Sequence, residues 1–137
     1  MKGDDSEARL EMAKPVIAYA RAWQDGDAAT LVGLYHDDFK LHYFGRSPLA
    51  GDHVGKPAAL AALAKVQLLT NRKLVTVHDV LSGPGHGAIL AHEHWSKDGR
   101  ELDVRRVLVY HIRDGKLSEC WLYDDDQRAV DEFWTAE

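Results

Sequence analysis

The sequence has one cysteine, no long apolar run and no cluster of basic residues, and each of these shortages excludes a class of protein. Cys120 is the single cysteine among 137 residues, so an internal disulfide is impossible. No apolar run approaches the roughly 18 residues that cross a bilayer, and the N-terminal segment MKGDDSEARL is too acidic and polar for a signal peptide. We therefore expect a cytoplasmic protein without a membrane partner.

Charged residues are scattered along the chain. The 17 Lys and Arg residues against 22 Asp and Glu residues give a formal net charge of −5, and no basic patch offers a footprint for DNA or RNA. The sequence also contains no Gly-rich phosphate loop, no G-x-S-x-G serine motif and no dinucleotide fingerprint. We therefore expect no nucleic-acid partner and no cofactor.

The helical part of the chain precedes most of its strands. With 45% hydrophobic residues, 137 residues suffice for one domain over 8–137, preceded by a disordered polar tail over 1–7. Apolar spacings of three and four predict a first helix that ends at Gly26, with Pro15 either at its start or at a bend. Asp27 is placed to cap a short second helix.

The remaining elements follow from Pro57, from strand alternation and from Asp-Gly turns. Pro57 marks the start of a third helix, whose predicted buried stripe is Leu60, Leu63, Ala64 and Leu68. Alternating apolar residues predict strands over 39–44, 74–81, 88–96, 101–112 and 117–124, and a short helix over 127–134 closes the chain. Asp-Gly pairs at 98–99 and 114–115 predict tight hairpins between the last three strands.

Three stretches carry a family resemblance, namely YARAWQDGD over 19–27, YHDDFKLHYFGRSPLAG over 35–51 and CWLYDDDQ over 120–127. Together they resemble the SnoaL-like branch of the nuclear transport factor 2-like superfamily, which includes the ketosteroid isomerases. The resemblance implies an α+β, cystatin-like fold, in which a cone-shaped, curved antiparallel sheet wraps around the N-terminal helices. A pocket for a small-molecule ligand would lie between the sheet and the helices.

The phase of two strands decides which side chains reach that pocket. Resemblance to the ketosteroid isomerases places the face of Arg106 and Tyr110 inward. Val107 and Val109 then face outward, and this apolar strip predicts a homodimer through the outer face of the sheet. In the last strand a two-residue Asp-Gly turn would direct Trp121 and Tyr123 inward, which we favour, whereas a three-residue turn with a bulge would present Asp124.

Tyr19 and His42 are candidate catalytic residues. By resemblance, Tyr19 occupies the position of the tyrosine that stabilises an oxyanion in ketosteroid isomerases, and the alternative is an ordinary core tyrosine. His42 lies where those enzymes place a general acid or base, and its ordinary pKa of about 6.5 suits proton transfer near neutral pH. Alternation leaves open whether His42 and Phe44, or Leu41 and Tyr43, face the pocket.

Arg106 is the third candidate, because it lies near the position of the second oxyanion donor of the ketosteroid isomerases. An inward guanidinium would attract a carboxylate, a phenolate or an enolate. The alternative is a salt bridge to Asp124 or Glu93. The epoxide-hydrolase relatives use an Asp-Arg-Asp arrangement, and Glu93, Leu122 or Tyr123 at the corresponding positions offer no matching triad, so that activity is disfavoured.

Further residues are predicted to contact the ligand. An H-x-H pair is a spacing that zinc sites use, with His42 as a third ligand, but no supporting Cys or carboxylate accompanies it and we predict no metal. The two histidines of that pair line the pocket instead, or else Glu93 and Trp95 do. The predicted ligand-binding residues are Trp23, Phe44, Leu60, Leu63, His92, His94, Tyr110, Trp121, Tyr123 and Asp124.

The resemblance implies a cofactor-independent acid/base enzyme that acts on a small cyclic or polyketide-like carbonyl compound in a hydrophobic pocket. Isomerase, cyclase and dehydratase reactions share the enolate step that Tyr19, His42 and Arg106 would serve. The alternatives are a non-catalytic ligand-binding or dimeric accessory module and, less favoured, a His-bound metal hydrolase.

Overall fold

The computed structural model of this protein describes residues 2–135, which form four helices and six strands. In chain order they are α1 (Lys2–Asp25), α2 (Ala28–Leu34), β1 (Tyr35–Tyr43), β2 (Gly51–Val54), α3 (Lys56–Thr70), β3 (Lys73–Ser82), β4 (Gly87–Lys97), β5 (Arg100–Arg113), β6 (Lys116–Asp124) and α4 (Gln127–Thr135). No helix within 2–135 is long and apolar enough to cross a membrane.

The first helix is longer than predicted. It begins at Lys2, so the predicted disordered tail is wrong for residues 2–7, while Met1 lies outside the described residues. Good helix formers over 7–10, EARL, extend the helix toward its N-terminus. Pro15 lies inside the helix rather than at its start. The helix ends as predicted at Gly26, whose φ of +69° is a left-handed conformation that glycine adopts without steric cost.

The connection to α2 follows the predicted capping pattern. Asp27 Oδ1 accepts the backbone N–H of Thr30 at 3.2 Å, and Asp27 Oδ2 accepts the Thr30 hydroxyl at 2.6 Å. These bonds satisfy a donor that the first turn of a helix leaves unpaired. The short α2 therefore begins directly after Asp27, and β1 follows α2 without an intervening loop.

The six strands form one sheet in the order β2-β1-β6-β5-β4-β3. The α+β class agrees with the prediction, and neighbouring strands are antiparallel except for β1 and β6, which run parallel. The short strand β2 was not predicted, because it lies in a segment rich in Gly and Pro. Helices α1 and α3 pack on one face of the sheet, and the core lies between them and that face.

Strand β5 has the predicted phase. Its buried residues are Val104, Arg106, Leu108, Tyr110 and Ile112, and Val107 and Val109 lie on the outer face. On α3 the buried residues are Ala59, Ala62, Val66 and Thr70, and none of them belongs to the predicted stripe. Leu68 is 77% exposed, whereas Leu60 and Leu63 remain half-buried against the core.

Strand β6 has the opposite phase to the one we favoured from the sequence. The turn has two residues, Asp114 and Gly115, both with positive φ, as predicted. Beyond it, Ile112 pairs with Leu117 but His111 pairs with Glu119, so Ser118 forms a bulge that rotates the strand by one residue.

The bulge is held by its own side chain, because the Ser118 hydroxyl donates to the His111 carbonyl at 2.9 Å and accepts from His111 Nδ1 at 2.9 Å. As a result Cys120, Leu122 and Asp124 face inward. The favoured inward positions of Trp121 and Tyr123 are wrong, and Asp124 is the correct alternative.

Gly87 allows α1 to approach the start of β4. A Cβ atom built on Gly87 would lie 2.5 Å from Val16 Cγ2, well inside van der Waals contact. We predict that Gly87→Ala lowers the free energy of unfolding by about 1–3 kcal/mol, measured by urea denaturation, because the helix must shift.

Gly85→Ala is the matched control, since nothing lies within 4 Å of that position, and it should change stability by less than about 0.5 kcal/mol. Adding Val16→Ala to Gly87→Ala should cost less than the two single changes together. Strict additivity would contradict the steric explanation.

Candidate functional site

A cavity of about 170 Å³ lies between the inner face of the sheet and the first three helices. Most of its wall is apolar or aromatic, and a few polar side chains converge on it, as in small-molecule sites. Its lining residues are Tyr19, Trp23, Leu31, Tyr35, Phe39, Leu41, Leu63, Gln67, Arg72, Glu93, Arg106, Leu108, Tyr110, Cys120 and Leu122. Of the predicted ligand contacts, Trp23, Leu63 and Tyr110 are among them.

An ionic network of Glu93, Arg106 and Asp124 connects three neighbouring strands, β4, β5 and β6, at the wall of this cavity. Arg106 Nε lies 2.6 Å from Asp124 Oδ1 and Arg106 Nη2 lies 3.1 Å from Asp124 Oδ2, a bidentate pair. Arg106 Nη1 donates to Glu93 Oε1 at 3.2 Å. The side chains of all three are almost fully buried. A carboxylate–arginine–carboxylate set therefore exists, contrary to our expectation of no triad.

Two aromatic residues complete the surroundings of the guanidinium. Arg106 Nη2 donates to the Tyr43 hydroxyl at 3.2 Å, and the guanidinium lies 4.9 Å from the centre of the Trp95 ring. Trp95 Nε1 in turn donates to Glu93 Oε1 at 2.9 Å. The guanidinium is thus held on several sides.

Burial alone would lower the pKa of Arg106, but Glu93, Tyr43 and Asp124 together raise it well above its ordinary value. Burial raises the pKa of Asp124, and the neighbouring Arg106 opposes that rise. The predicted salt bridge is therefore confirmed. Arg106 already has two counter-charges and is not a free anion receptor.

Tyr19 lies in the cavity wall, as the family resemblance implied. Its hydroxyl is hydrogen-bonded to that of Tyr35, and the Tyr110 ring lies 5.7 Å from the Tyr19 ring. Burial raises the pKa of all three phenols, so they remain neutral hydrogen-bond donors at physiological pH. Tyr35 was not among the predicted catalytic or ligand-binding residues, and it lies at the start of β1.

Arg72 was also missed. It follows α3 at the left-handed residue Asn71, in a short connection that has no periodic pattern. Arg72 Nε lies 4.0 Å from Glu93 Oε2, and the positive charge of Arg72 counters part of the burial effect on the pKa of Tyr19 and Tyr35. The cavity therefore contains a cation close to a pair of neutral phenols.

Cys120 is a buried, inert thiol. Burial raises its pKa to about 12, so the thiolate is not populated at neutral pH. Its side chain lies on the inner face of β6, among the buried residues of the sheet.

His42 lies on the outer face of the sheet, because Leu41 and Tyr43 take the inner positions of β1. His42 Nδ1 is 2.7 Å from Asp52 Oδ1 and His42 Nε2 is 2.5 Å from Glu119 Oε2. Only a protonated imidazole donates through both nitrogens. His42, a candidate catalytic residue, thus lies outside the cavity, and Leu41 and Tyr43 are the inward pair of the two that alternation left open.

The other predicted contacts on the outer face are likewise outside the cavity. The Phe44 ring stacks on Tyr123 with centres 5.0 Å apart, and Trp121 stacks on His42 with centres 5.4 Å apart. Leu60 packs against the core without lining the cavity. Asp124 lies behind Arg106 rather than in the cavity wall.

His92 and His94 also lie on the outer face of the sheet. His94 is bonded to Asp103 and Glu101, and His92 is bonded to Asp103. Within 2–135 no group of three or more His, Cys, Asp or Glu side chains is arranged to hold a metal ion. The inward residues of this strand are Glu93 and Trp95, the alternative that the sequence left open.

Comparison with known proteins agrees with this architecture. The sequence model of the SnoaL-like domain matches residues 16–120. The uncharacterized protein Rv0034 of Mycobacterium tuberculosis is 26% identical over 133 residues, covering 96% of this chain and 98% of that protein. Bal32a, from a soil-derived mobile gene cassette, has a TM-score of 0.83 at 28% identity, covering 93% of this chain and 98% of its own.

A Xanthomonas campestris protein of unknown function with a cystatin-like fold has a TM-score of 0.80 at 28% identity, covering 88% of this chain and 95% of its own. The predicted cystatin-like, nuclear transport factor 2-like fold is thus confirmed. Structures below 20% identity share the fold alone. They include one named after polyketide cyclases, one with a ketosteroid isomerase-like fold, and TerC, co-crystallised with polyporic acid.

The contacts of His42 predict a pH-dependent contribution to stability. Partial burial alone would lower the pKa of His42, but the hydrogen bonds to Glu119 and Asp52 raise it above its ordinary value. The stabilisation is therefore complete below the unfolded pKa of about 6.5 and is lost as the pH rises through the folded pKa.

We expect His42→Gln to lower the free energy of unfolding by about 1–3 kcal/mol at pH 6 and by less at pH 9, measured by urea denaturation. His78→Gln, at an exposed histidine, is the control and should cost less. An equal cost of His42→Gln at both pH values would show that the charge of His42 contributes nothing.

Proposed function

The chain belongs to the SnoaL-like domain family, and we propose that it is a cofactor-independent acid/base enzyme that acts on a small cyclic carbonyl compound in the cavity. The observation that carries this proposal is the presence of a carboxylate, Glu93, and a phenol pair, Tyr19 and Tyr35, in the wall of one small cavity. This arrangement suits a reaction of the isomerase, cyclase or dehydratase type, in which a proton leaves a carbon next to a carbonyl group.

The proton acceptor in this proposal is Glu93 Oε2. The other oxygen of this carboxylate accepts from Arg106 and Trp95, whereas among the described residues the one polar partner of Oε2 is Arg72 Nε, at 4.0 Å. Oε2 takes the proton from the carbon, the C–H bonding electrons form a new C=C bond, and the π electrons of the carbonyl group move to its oxygen. Glu93 then returns the proton, and the carbon that receives it decides whether the net reaction is an isomerisation.

The developing enolate oxygen would bind to Tyr19 and Tyr35. Their raised pKa keeps both phenols protonated, so at least one O–H can turn toward the ligand. Arg72 adds a positive charge close to this pair. The catalytic role that the sequence suggested for His42 passes to Glu93 in this proposal, since His42 lies outside the cavity.

The cavity volume limits the size of the ligand. A dry cavity of about 150 Å³ binds benzene in another protein, so about 170 Å³ suits a single ring. The rings of Trp23 and Phe39 in the wall offer flat apolar contacts to such a ligand. A longer, polyketide-like compound would require the cavity to open.

A ligand-binding module without catalysis is the second candidate. It is favoured by the ion pairs of both carboxylates, because Glu93 and Asp124 are already bonded to Arg106 and serve a structural role without any ligand.

We predict that the protein accelerates exchange of the α-hydrogens of cyclopentanone or cyclohexanone in D₂O, followed by proton NMR. Glu93→Gln should reduce the rate by about 100-fold or more, because it removes the base, and Tyr19→Phe should reduce it by about 10-fold or more. Tyr123→Phe, which removes a hydroxyl from the outer face, should leave the rate unchanged.

The outcome separates the two candidates. Binding of the ketones without any exchange above the buffer rate would favour the binding module. If a folded Glu93→Gln variant still exchanges the α-hydrogens at the wild-type rate, Glu93 is not the base.

We also propose that two copies of this chain pair through the outer face of the sheet. Phe44, Val107 and Tyr123 are 39%, 36% and 47% exposed and lie side by side, since Val107 pairs with Tyr123 and Tyr123 stacks on Phe44. An exposed apolar patch of this kind is typical of a protein interface. The same patch on a second copy would cover it through a two-fold axis.

Val107→Glu should raise the dissociation constant of this dimer by at least about 10-fold, because the axis brings two new carboxylates together. Light scattering after size-exclusion chromatography measures the change. Leu68→Glu, at an apolar residue on α3 that is 77% exposed, is the matched control and should leave the dimer intact. A monomeric wild-type protein would contradict the proposal.

A further inference from the structure

We infer that the cavity selects a ligand that is electrically neutral when it binds, and that Arg72 becomes the counter-charge of the oxyanion once a proton has moved to Glu93. This inference rests on the proposed function and adds to it the charge class of the substrate and the role of Arg72. It follows from a count of the charges around the cavity and from the geometry of the ion pairs.

Three charged side chains line the cavity, Arg72, Glu93 and Arg106, and Asp124 is paired with Arg106 behind the wall, so the four charges sum to zero. Asp124 occupies the Nε and Nη2 edge of Arg106, at 2.6 and 3.1 Å. Glu93 occupies Nη1 of Arg106 at 3.2 Å and is also shared with Arg72. A negatively charged ligand would therefore find no positive charge that is not already balanced by a carboxylate.

Burial makes that excess charge costly. Arg106 is 2% exposed and Glu93 is 1% exposed, so water screens little of the field between them. A ligand carboxylate would leave the cavity with one negative charge that no group neutralises. A ketone or aldehyde brings a polar oxygen without this penalty.

The contact between Arg72 and Glu93 is looser than the other ion pairs. Its 4.0 Å separation compares with 2.6–3.2 Å around Arg106, and the Arg72 guanidinium has no other hydrogen-bond or ion-pair partner within residues 2–135. Its charge reaches the hydroxyls of Tyr19 and Tyr35. Arg72 can therefore exchange one counter-charge for another.

The reaction keeps the charge count at zero. When Glu93 Oε2 takes a proton from the ligand carbon, Glu93 becomes neutral and the ligand oxygen becomes negative. Arg72 then faces the new oxyanion in place of the carboxylate. No net charge enters or leaves the buried site at any step.

The backbone holds Arg72 in place for this exchange. Asn71 has a left-handed φ of 46°, and its Nδ2 donates to the Ser96 carbonyl at 3.2 Å, which ties the connection to β4. Gln67 Nε2 donates to the Arg72 carbonyl at 2.8 Å. The guanidinium can reorient while its main chain stays fixed.

The test compares binding of two probes of similar size, cyclohexanone and cyclohexanecarboxylate, at neutral pH by NMR titration. The wild-type protein should bind the ketone at least about 10-fold more tightly than the carboxylate, because the carboxylate adds an unpaired buried charge. Glu93→Gln gives the site one positive charge and should reverse the preference. Arg72→Met gives it one negative charge and should strengthen the preference for the ketone.

Glu7→Gln is the matched control, since it removes one carboxylate at an exposed residue about 18 Å along α1 from Tyr19, and it should leave the ratio of the two affinities unchanged. Circular dichroism melting checks that each variant is folded. If Glu93→Gln does not fold, Arg72→Met carries the test through the change in the same ratio.

A wild-type preference for the carboxylate, a ratio that neither variant moves, or binding of neither probe would each overturn the inference. Failure of the proposed function has a different signature. If the ketone preference reverses in Glu93→Gln but no α-hydrogen exchange is seen, the proposed catalysis is wrong and the selection of a neutral ligand stands. If the protein catalyses exchange but binds the carboxylate more tightly, the proposed catalysis stands and the selection of a neutral ligand is wrong.

Discussion

A guanidinium buried between two carboxylates is the constraint on which this structure depends. An unpaired buried charge costs several kcal/mol, so β4, β5 and β6 must keep the register that brings Glu93, Arg106 and Asp124 together. The bulge at Ser118 supplies the phase that β6 needs to direct Asp124 inward. The inner face of the sheet is thereby fixed in one arrangement, to which the aromatic side chains Tyr43 and Trp95 add further contacts.

The same network decides what remains for a ligand. Because Arg106 is saturated by its own carboxylates, the polar groups left for a ligand in the cavity wall include Tyr19, Tyr35 and Arg72. Glu93 is shared between the network and the cavity, and its second oxygen faces Arg72. The site thus combines neutral donors, one loosely held cation and one carboxylate, which are the groups that the proposed enolate chemistry uses.

The sequence predicted local features better than the site. Gly26, Asp27, Pro57 and the Asp-Gly turns act through local backbone preferences, and each marked an element boundary that the structure contains. The phase of β5 and the position of Tyr19 came from the family resemblance. The polar residues 2–7 were predicted as a tail, whereas α1 extends back to Lys2.

The errors on the strands share a physical cause. Alternation allows either face of a strand to point inward, and one extra residue exchanges the two faces. The Ser118 bulge has no clear signature in sequence, so Trp121 and Tyr123 were assigned to the wrong face. His42 is a histidine between apolar neighbours, and only the inward packing of Leu41 and Tyr43 settles its side. Arg72 lies in a connection without periodicity, where the sequence offers no signal.

The central claim is that the ligand site is the inner cavity with its Tyr19, Tyr35 and Arg72 wall, and not the outer face that carries His42. A crystal structure of the protein soaked with cyclohexanone tests this most directly. The account predicts a ring between Trp23 and the sheet, with its carbonyl oxygen within hydrogen-bond distance of a phenol or of Arg72 and the Arg106 ion pairs intact. A ketone bound beside His42 and Trp121, with the inner cavity left without one, would contradict it.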